Sequence, residues 1–168
     1  QLWMKEAVRD SRALWKVVMT HVPYRSNGSH GNAGNLDEGL RWLFTNPDAD
    51  GQRYKDFMEE CFADQVDLII SGHDHTLQWL KPAPAMGPAH LLVTGAGGKT
   101  DTLDDPDRNP SFFQHQEEHG FVWFELSRDA MTLEFHIVDP DEGNRRLGLR
   151  RSVTKPLAAT ARKESVDA

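Results

Sequence analysis

A chain of 168 residues suits one domain, or a large part of one. Its 19 basic and 26 acidic residues leave a net charge of −7, which argues against a nucleic-acid partner, because phosphate backbones select basic faces. Hydrophobic residues make up 38%, enough for a core, yet no apolar run approaches a membrane span, and the single cysteine, Cys61, excludes an intrachain disulfide.

Residues 1–13 fit a helix with a narrow face of Met4, Ala7, Val8 and Ser11. Trp15 to Thr20 reads as a strand that ends in His21-Val22-Pro23-Tyr24, where proline stops the ladder. Residues 25–35 are rich in Gly, Asn and Ser and read as a loop. Leu36, Leu40, Leu43 and Phe44 share one face of a second helix, which Asn46-Pro47-Asp48-Ala49-Asp50-Gly51 is expected to break as a turn. Tyr54, Phe57, Met58, Cys61 and Phe62 give the full helical stripe of a third and make Cys61 a core residue. Val66 to Ser71 is a short run of β-branched and leucine side chains, as a buried strand has. Strand, helices, strand is a crossover unit, so these two strands are expected to run parallel.

That strand runs into Gly72-His73-Asp74-His75. Glycine permits a sharp turn, and imidazole is the commonest metal ligand. The plain alternative is two exposed histidines in a polar turn. Another strand, Ala89 to Thr94, ends in Gly95-Ala96-Gly97-Gly98. Residues 101–119 are acidic and proline-bearing and read as an irregular excursion. Phe121–Leu126 and Met131–Val138 form a hairpin, in which Met131, Leu133, Phe135 and Ile137 alternate with polar residues. Residues 155–168 carry little apolar content and read as a loose tail. The expected organisation is an α/β domain over 1–154 followed by that tail.

His21, the Gly72–His75 turn and the Gly95–Gly98 loop each follow the carboxyl end of a strand. Ligands of parallel α/β sheets bind outside those ends. Three other patterns carry less. Gly98-Lys99-Thr100 lacks the earlier glycine of a P-loop, because position 93 is Val. Asp48-Ala49-Asp50-Gly51 lacks the remaining ligands of a calcium loop. Asn27-Gly28-Ser29 is a formal glycosylation sequon. His90, His115, His119 and His136 carry no assigned role, with His115 and His119 expected to be solvated.

His21-Val22-Pro23-Tyr24, then Ser29-His30-Gly31, then Asp67 to Gln78 with its Gly72-His73-Asp74-His75 core, then Thr94-Gly95-Ala96-Gly97-Gly98-Lys99 and the Gly120-Phe121 strand together resemble the calcineurin-like metallophosphoesterases. The branch most resembled is the purple acid phosphatases of the small, tartrate-resistant type. The resemblance runs from about Gln1 to the 131–138 strand. It implies half of a four-layer α-β-β-α sandwich with a carboxyl-terminal β-hairpin. It also implies two metal ions, commonly iron with iron, zinc or manganese, and hydrolysis of phosphate monoesters on a phosphorylated small molecule or phosphoprotein. On this resemblance His21 and His73 would bind one ion, His75 the other, and His30 would act near the phosphate as a catalytic residue. Two adjacent cations suit the chemistry, because they polarise a phosphoryl group and stabilise the attacking and leaving oxygens.

Three of the family's patterns are missing: an Asp-x-His, a Gly-Asp-x-x-Asp and a Gly-Asn-His. With Gln1 as first residue, the expectation is the carboxyl-terminal half of a phosphatase. The amino-terminal half would complete the site, and this chain alone would bind metal weakly and hydrolyse little. A phosphodiesterase or nucleotide phosphatase of the same superfamily is one alternative, and a non-catalytic binding or vestigial module is another. The small purple acid phosphatases are usually exported, which makes export of the parent an expectation by resemblance.

Overall fold

A computed structural model describes residues 2–34 and 47–155, with side chains from residue 51 onward in the second stretch. The helix expected over 36–44 and all but the first residue of the tail expected over 155–168 lie outside the described residues. The elements are α1 (Leu2–Asp10), β1 (Val17–Met19), α2 (Pro47–Phe62), β2 (Leu68–Ser71), β3 (Leu77–Leu80), β4 (His90–Thr94), β5 (Ser111–His115), β6 (His119–Leu126), β7 (Ala130–Val138) and β8 (Arg145–Thr154). A 3-10 turn, Pro84–Met86, precedes β4.

Five strands form one sheet in the order β1-β2-β4-β3-β5. β1, β2 and β4 run parallel, as the crossover pattern requires. β3 lies antiparallel between β4 and β5. The carboxyl ends of β1, β2, β4 and β5 therefore share one rim with the amino end of β3. The second sheet is antiparallel, in the order β6-β7-β8, so the expected hairpin is two-thirds of a three-stranded sheet.

Period-two alternation sorts the apolar side chains into two clusters. On one face of the five-stranded sheet, Ile69, Leu80 and Leu91 pack under Met58, Cys61 and Phe62 of α2, with Met4 and Val8 of α1 beside them. On the other face, Leu68, Ile70, Leu77, Trp79 and Leu92 meet Met131, Leu133, Phe135 and Ile137 of β7. The described residues thus build three layers, helices, sheet and sheet. On β6, Phe121 and Trp123 point to one face and Phe124 and Leu126 to the other, as the register with β7 dictates, and all four are exposed.

Three expectations need correction. The 101–119 excursion contains β5, which Trp79 and Phe113 hold in register. Pro47 to Gly51 is the first turn of α2 rather than a non-helical turn. Proline is tolerated at the first helical position, where its missing N–H has no partner to lose, and acidic residues are favoured in the first turn. His119 is not simply solvated, because its Nδ1 lies 3.2 Å from the Ala96 carbonyl oxygen.

Phe135 is fully buried, stacks on Trp79 with centroids 6.2 Å apart and meets Phe113 at a tilt with centroids 4.7 Å apart. Phe135→Ala is expected to cost about 3–5 kcal/mol, read as a lowered urea midpoint with unchanged m-value.

Candidate active site

The β1–β2 ladder extends past the strands and sets the first histidine. Thr20 N–H donates to Ile70 O at 2.9 Å, and Gly72 N–H donates to His21 O at 3.1 Å. His21 and the turn after β2 are thereby locked side by side. The chain next crosses the end of β4 to begin β3. It can do so because position 95 is glycine: a Cβ there would overlap the Asp74 carbonyl oxygen. Gly95 N–H in turn donates to Thr76 O at 3.1 Å.

Within this turn the side chains divide by function. Asp74 points inward and is buried. Its carboxylate accepts the Ser26 hydroxyl, the Ser29 hydroxyl at 3.4 Å and the His30 backbone N–H at 3.2 Å. Gly28 completes the fit, because a Cβ there would stand 2.5 Å from Asp74 Cγ. His73 and His75 point to the rim. His73 carries its backbone in the left-handed region at φ 64°, at a cost on the order of 1–2 kcal/mol for a residue with a Cβ.

His21, His30, Gly72, His73, His75, Gly95, Gly98 and Lys99 line one open cleft of about 520 Å³. His73 Nδ1 is 2.9 Å from His21 Nε2. The His30 ring lies over the His73 ring, with centroids 3.6 Å apart. His75 Nδ1 is 3.0 Å from Asp101 Oδ2. Burial, first, and then the neighbouring His30 and His21 hold the His73 imidazole down to about 4. It is therefore neutral at neutral pH, the form that can ligate a metal ion. All four histidines named from the sequence thus meet at one place.

The donor set partly fits a metal ion. The nitrogens that face each other are His21 Nε2 and His73 Nδ1, while His73 Nε2, on the other edge of the ring, is buried without a hydrogen-bond partner. Two nitrogens bound to one ion at about 2.05 Å stand about 2.9 Å apart at a right angle and about 3.3 Å apart at the tetrahedral angle. The His21–His73 separation lies at the lower of these values. Among the described residues, however, no group of three or more His, Cys, Asp and Glu side chains could by itself hold a metal ion.

A polar network, invisible in the sequence, carries the 24–34 loop. Asn27 is fully buried, and its Nδ2 donates to Pro106 O, Asn109 O and Gln114 Oε1. Its sequon nitrogen is thus committed inside the fold. Gln78, buried in β3, accepts the Asn27 N–H and donates to Ser26 Oγ and Thr76 Oγ1. Asn32 accepts the Ser26 N–H and the Asn109 amide.

Comparison with known proteins agrees with this architecture. The family model of the calcineurin-like phosphoesterases matches residues 1–77. Purple acid phosphatase 17 of Arabidopsis thaliana is 30% identical over 138 residues, covering 80% of this chain and 35% of that protein. The chain is thus similar to the calcineurin-like phosphoesterases over residues 1–77 and, among them, to the purple acid phosphatases over 80% of its length. Purple acid phosphatase 4 of the same plant is 26% identical over 139 residues, covering 80% of this chain and 34% of the relative. The chain spans about a third of the length of the curated relatives it matches. Two solved structures share the fold of this chain. Purple acid phosphatase PPD1 from yellow lupin (Lupinus luteus) seeds superposes with a TM-score of 0.62 at 13% identity, over 91% of this chain and 28% of that one. PhoD superposes with a TM-score of 0.57 at 14% identity, over 90% and 31%. The mixed α/β sandwich expected from the resemblance is therefore the observed fold.

Two outcomes are expected at His73. Glycine suits its left-handed backbone, so His73→Gly should be more stable than His73→Ala by on the order of 1 kcal/mol in urea unfolding. The depressed His73 pKa also sets a pH window: the stability tied to the neutral ring is complete above about pH 6.5 and is lost as pH falls toward about 4. Acid titration of stability in metal-free buffer should show that component in the wild-type chain and not in His73→Gly.

Proposed function

We propose that residues 1–154 form the carboxyl-terminal part of a phosphoesterase domain whose complete form hydrolyses phosphate monoesters at a dinuclear metal centre. The observation that carries this reading is the meeting of His21, His30, His73 and His75 in one cleft at the ends of parallel strands. His21 and His73 would hold one ion and His75 the other. The ions would polarise the phosphoryl group and balance charge on its oxygens. His30 would orient the phosphate or pass a proton to the leaving alcohol. Its place is supported from both sides: its N–H is anchored on Asp74 and its ring rests on His73.

Among the described residues that line the cleft, none is a carboxylate that could bridge two ions. The absence of a three-ligand cluster among the described residues agrees with a site shared with further polypeptide. The substrate is a phosphorylated small molecule or phosphoprotein, and an exported parent belongs to the same reading. No described helix is long and apolar enough to cross a membrane.

The purified chain is expected to bind zinc or manganese weakly and to show negligible turnover of p-nitrophenyl phosphate. Joined to a segment bearing the Asp-x-His, Gly-Asp-x-x-Asp and Gly-Asn-His patterns, it should gain chelator-sensitive hydrolysis, with a monoester cleaved faster than its diester. There, His30→Ala should lower kcat about 10²–10⁴-fold while leaving the metal content unchanged. Robust metal-dependent turnover by the 168-residue chain alone would refute the shared-site reading, and preference for a diester would transfer the chain to the phosphodiesterases.

A further inference from the structure

Asp101 is separated from the histidine turn by two strands and a glycine-rich loop, yet it is fastened to that turn twice. Its backbone N–H donates to His75 O at 3.0 Å, and its Oδ2 lies 3.0 Å from His75 Nδ1. Its own carbonyl accepts the Glu117 N–H at 3.1 Å. Asp101 is thus a strut between the β2–β3 turn, the loop after β4 and the β5–β6 turn. Its carboxylate is also 4.0 Å from the Lys99 ammonium, at the mouth of the same cleft.

An ionised carboxylate only accepts hydrogen bonds. The proton of the Asp101–His75 contact therefore sits on His75 Nδ1, and the ring's lone pair is left on Nε2. The pair is partly exposed, with side chains 33% and 49% accessible, so its Coulombic share is screened and small. What survives screening is direction: one acceptor, held by two backbone bonds, decides which ring nitrogen carries the proton.

We propose that Asp101 is a positioning residue that fixes the tautomer and ring orientation of His75, presenting Nε2 as a ready donor. The inference rests on the metal-site reading for its purpose, but not for its geometry. An acceptor on the far nitrogen of a ligating imidazole typically contributes 10–100-fold in metal affinity. Asp101→Ala removes the acceptor and keeps both backbone bonds. Asp101→Asn keeps an acceptor oxygen without the charge.

The test is nitrogen-15 NMR of the His75 ring at neutral pH, assigned with His75→Gln, on the wild-type chain, Asp101→Ala and Asp101→Asn. Zinc ion alone is then titrated while the ring signals are followed, and thermal unfolding is recorded for each protein. Wild type and Asp101→Asn should show the Nδ1–H tautomer, whereas Asp101→Ala should redistribute between both forms at an unchanged unfolding midpoint. Zinc should bind Asp101→Ala about 10–100-fold more weakly than wild type. The same tautomer in wild type and Asp101→Ala overturns the proposal, and so does a tautomer change with unaltered zinc affinity. If wild type takes no zinc, the metal-site reading fails, and the tautomer comparison alone decides the role of Asp101.

Discussion

The site depends on where one carboxylate is buried. Asp74 stands between two histidines that face the cleft, and it faces the opposite way. A buried carboxylate without donors costs several kcal/mol, so the turn can close only once Ser26, Ser29 and the His30 amide have come to meet it. Hydrogen bonds to a charged group are each worth about 1.5–3 kcal/mol, more than enough to hold a short polar loop. The loop bearing His30 and the turn bearing His73 and His75 are therefore ordered together. The strained backbone of His73 is tolerated because residues on both sides of it are pinned.

Around that anchor the rim is built by strand topology. Parallel β1, β2 and β4 deliver His21, the histidine turn and the glycine loop to one side, and antiparallel β3 forces the turn to pass over Gly95. At the flank of the second sheet, β6 shows apolar side chains on both faces while, among the described residues, one of its edges is unpaired. That is the composition of an interior strand placed at an edge, where unpaired backbone groups invite another strand.

The elements legible in the sequence were those with a clean period. The α2 stripe, the apolar runs of β1, β2 and β4 and the alternation of β7 all emerged, and from them the parallel β1–β2 relation and the β6–β7 hairpin. The missed strands break that period for identifiable reasons. β3 carries Gln78 at a fully buried position, where an amide serves the polar network instead of the core. β5 follows a proline and mixes Gln and His with phenylalanine. β8 is rich in arginine, and Arg151 fills an inward position by laying its guanidinium 4.3 Å from the Phe112 ring centre. His21, His73 and His75 were legible because they sit in short local patterns beside strand ends, whereas His30, well inside the loop after β1, was named from the family resemblance alone. The roles of Asp74 and Asp101 were not legible, because their partners lie 48 and 26 residues away, and no local spacing signals a contact across a loop closure.

The committed amide of Asn27 has a consequence for how the protein can be made. Its nitrogen is the atom to which an oligosaccharide would be attached, and in the folded chain it is spent on three acceptors deep beneath the rim. Sugar transfer and folding therefore compete for the same atom. A chain that folds first is closed to the transferase, while a chain modified first carries a bulky hydrophilic group that cannot enter the space Asn27 must fill. In a secretory host the yield of correctly closed molecules becomes a race between loop docking and glycan addition, and a host without asparagine-linked glycosylation has no such race to lose.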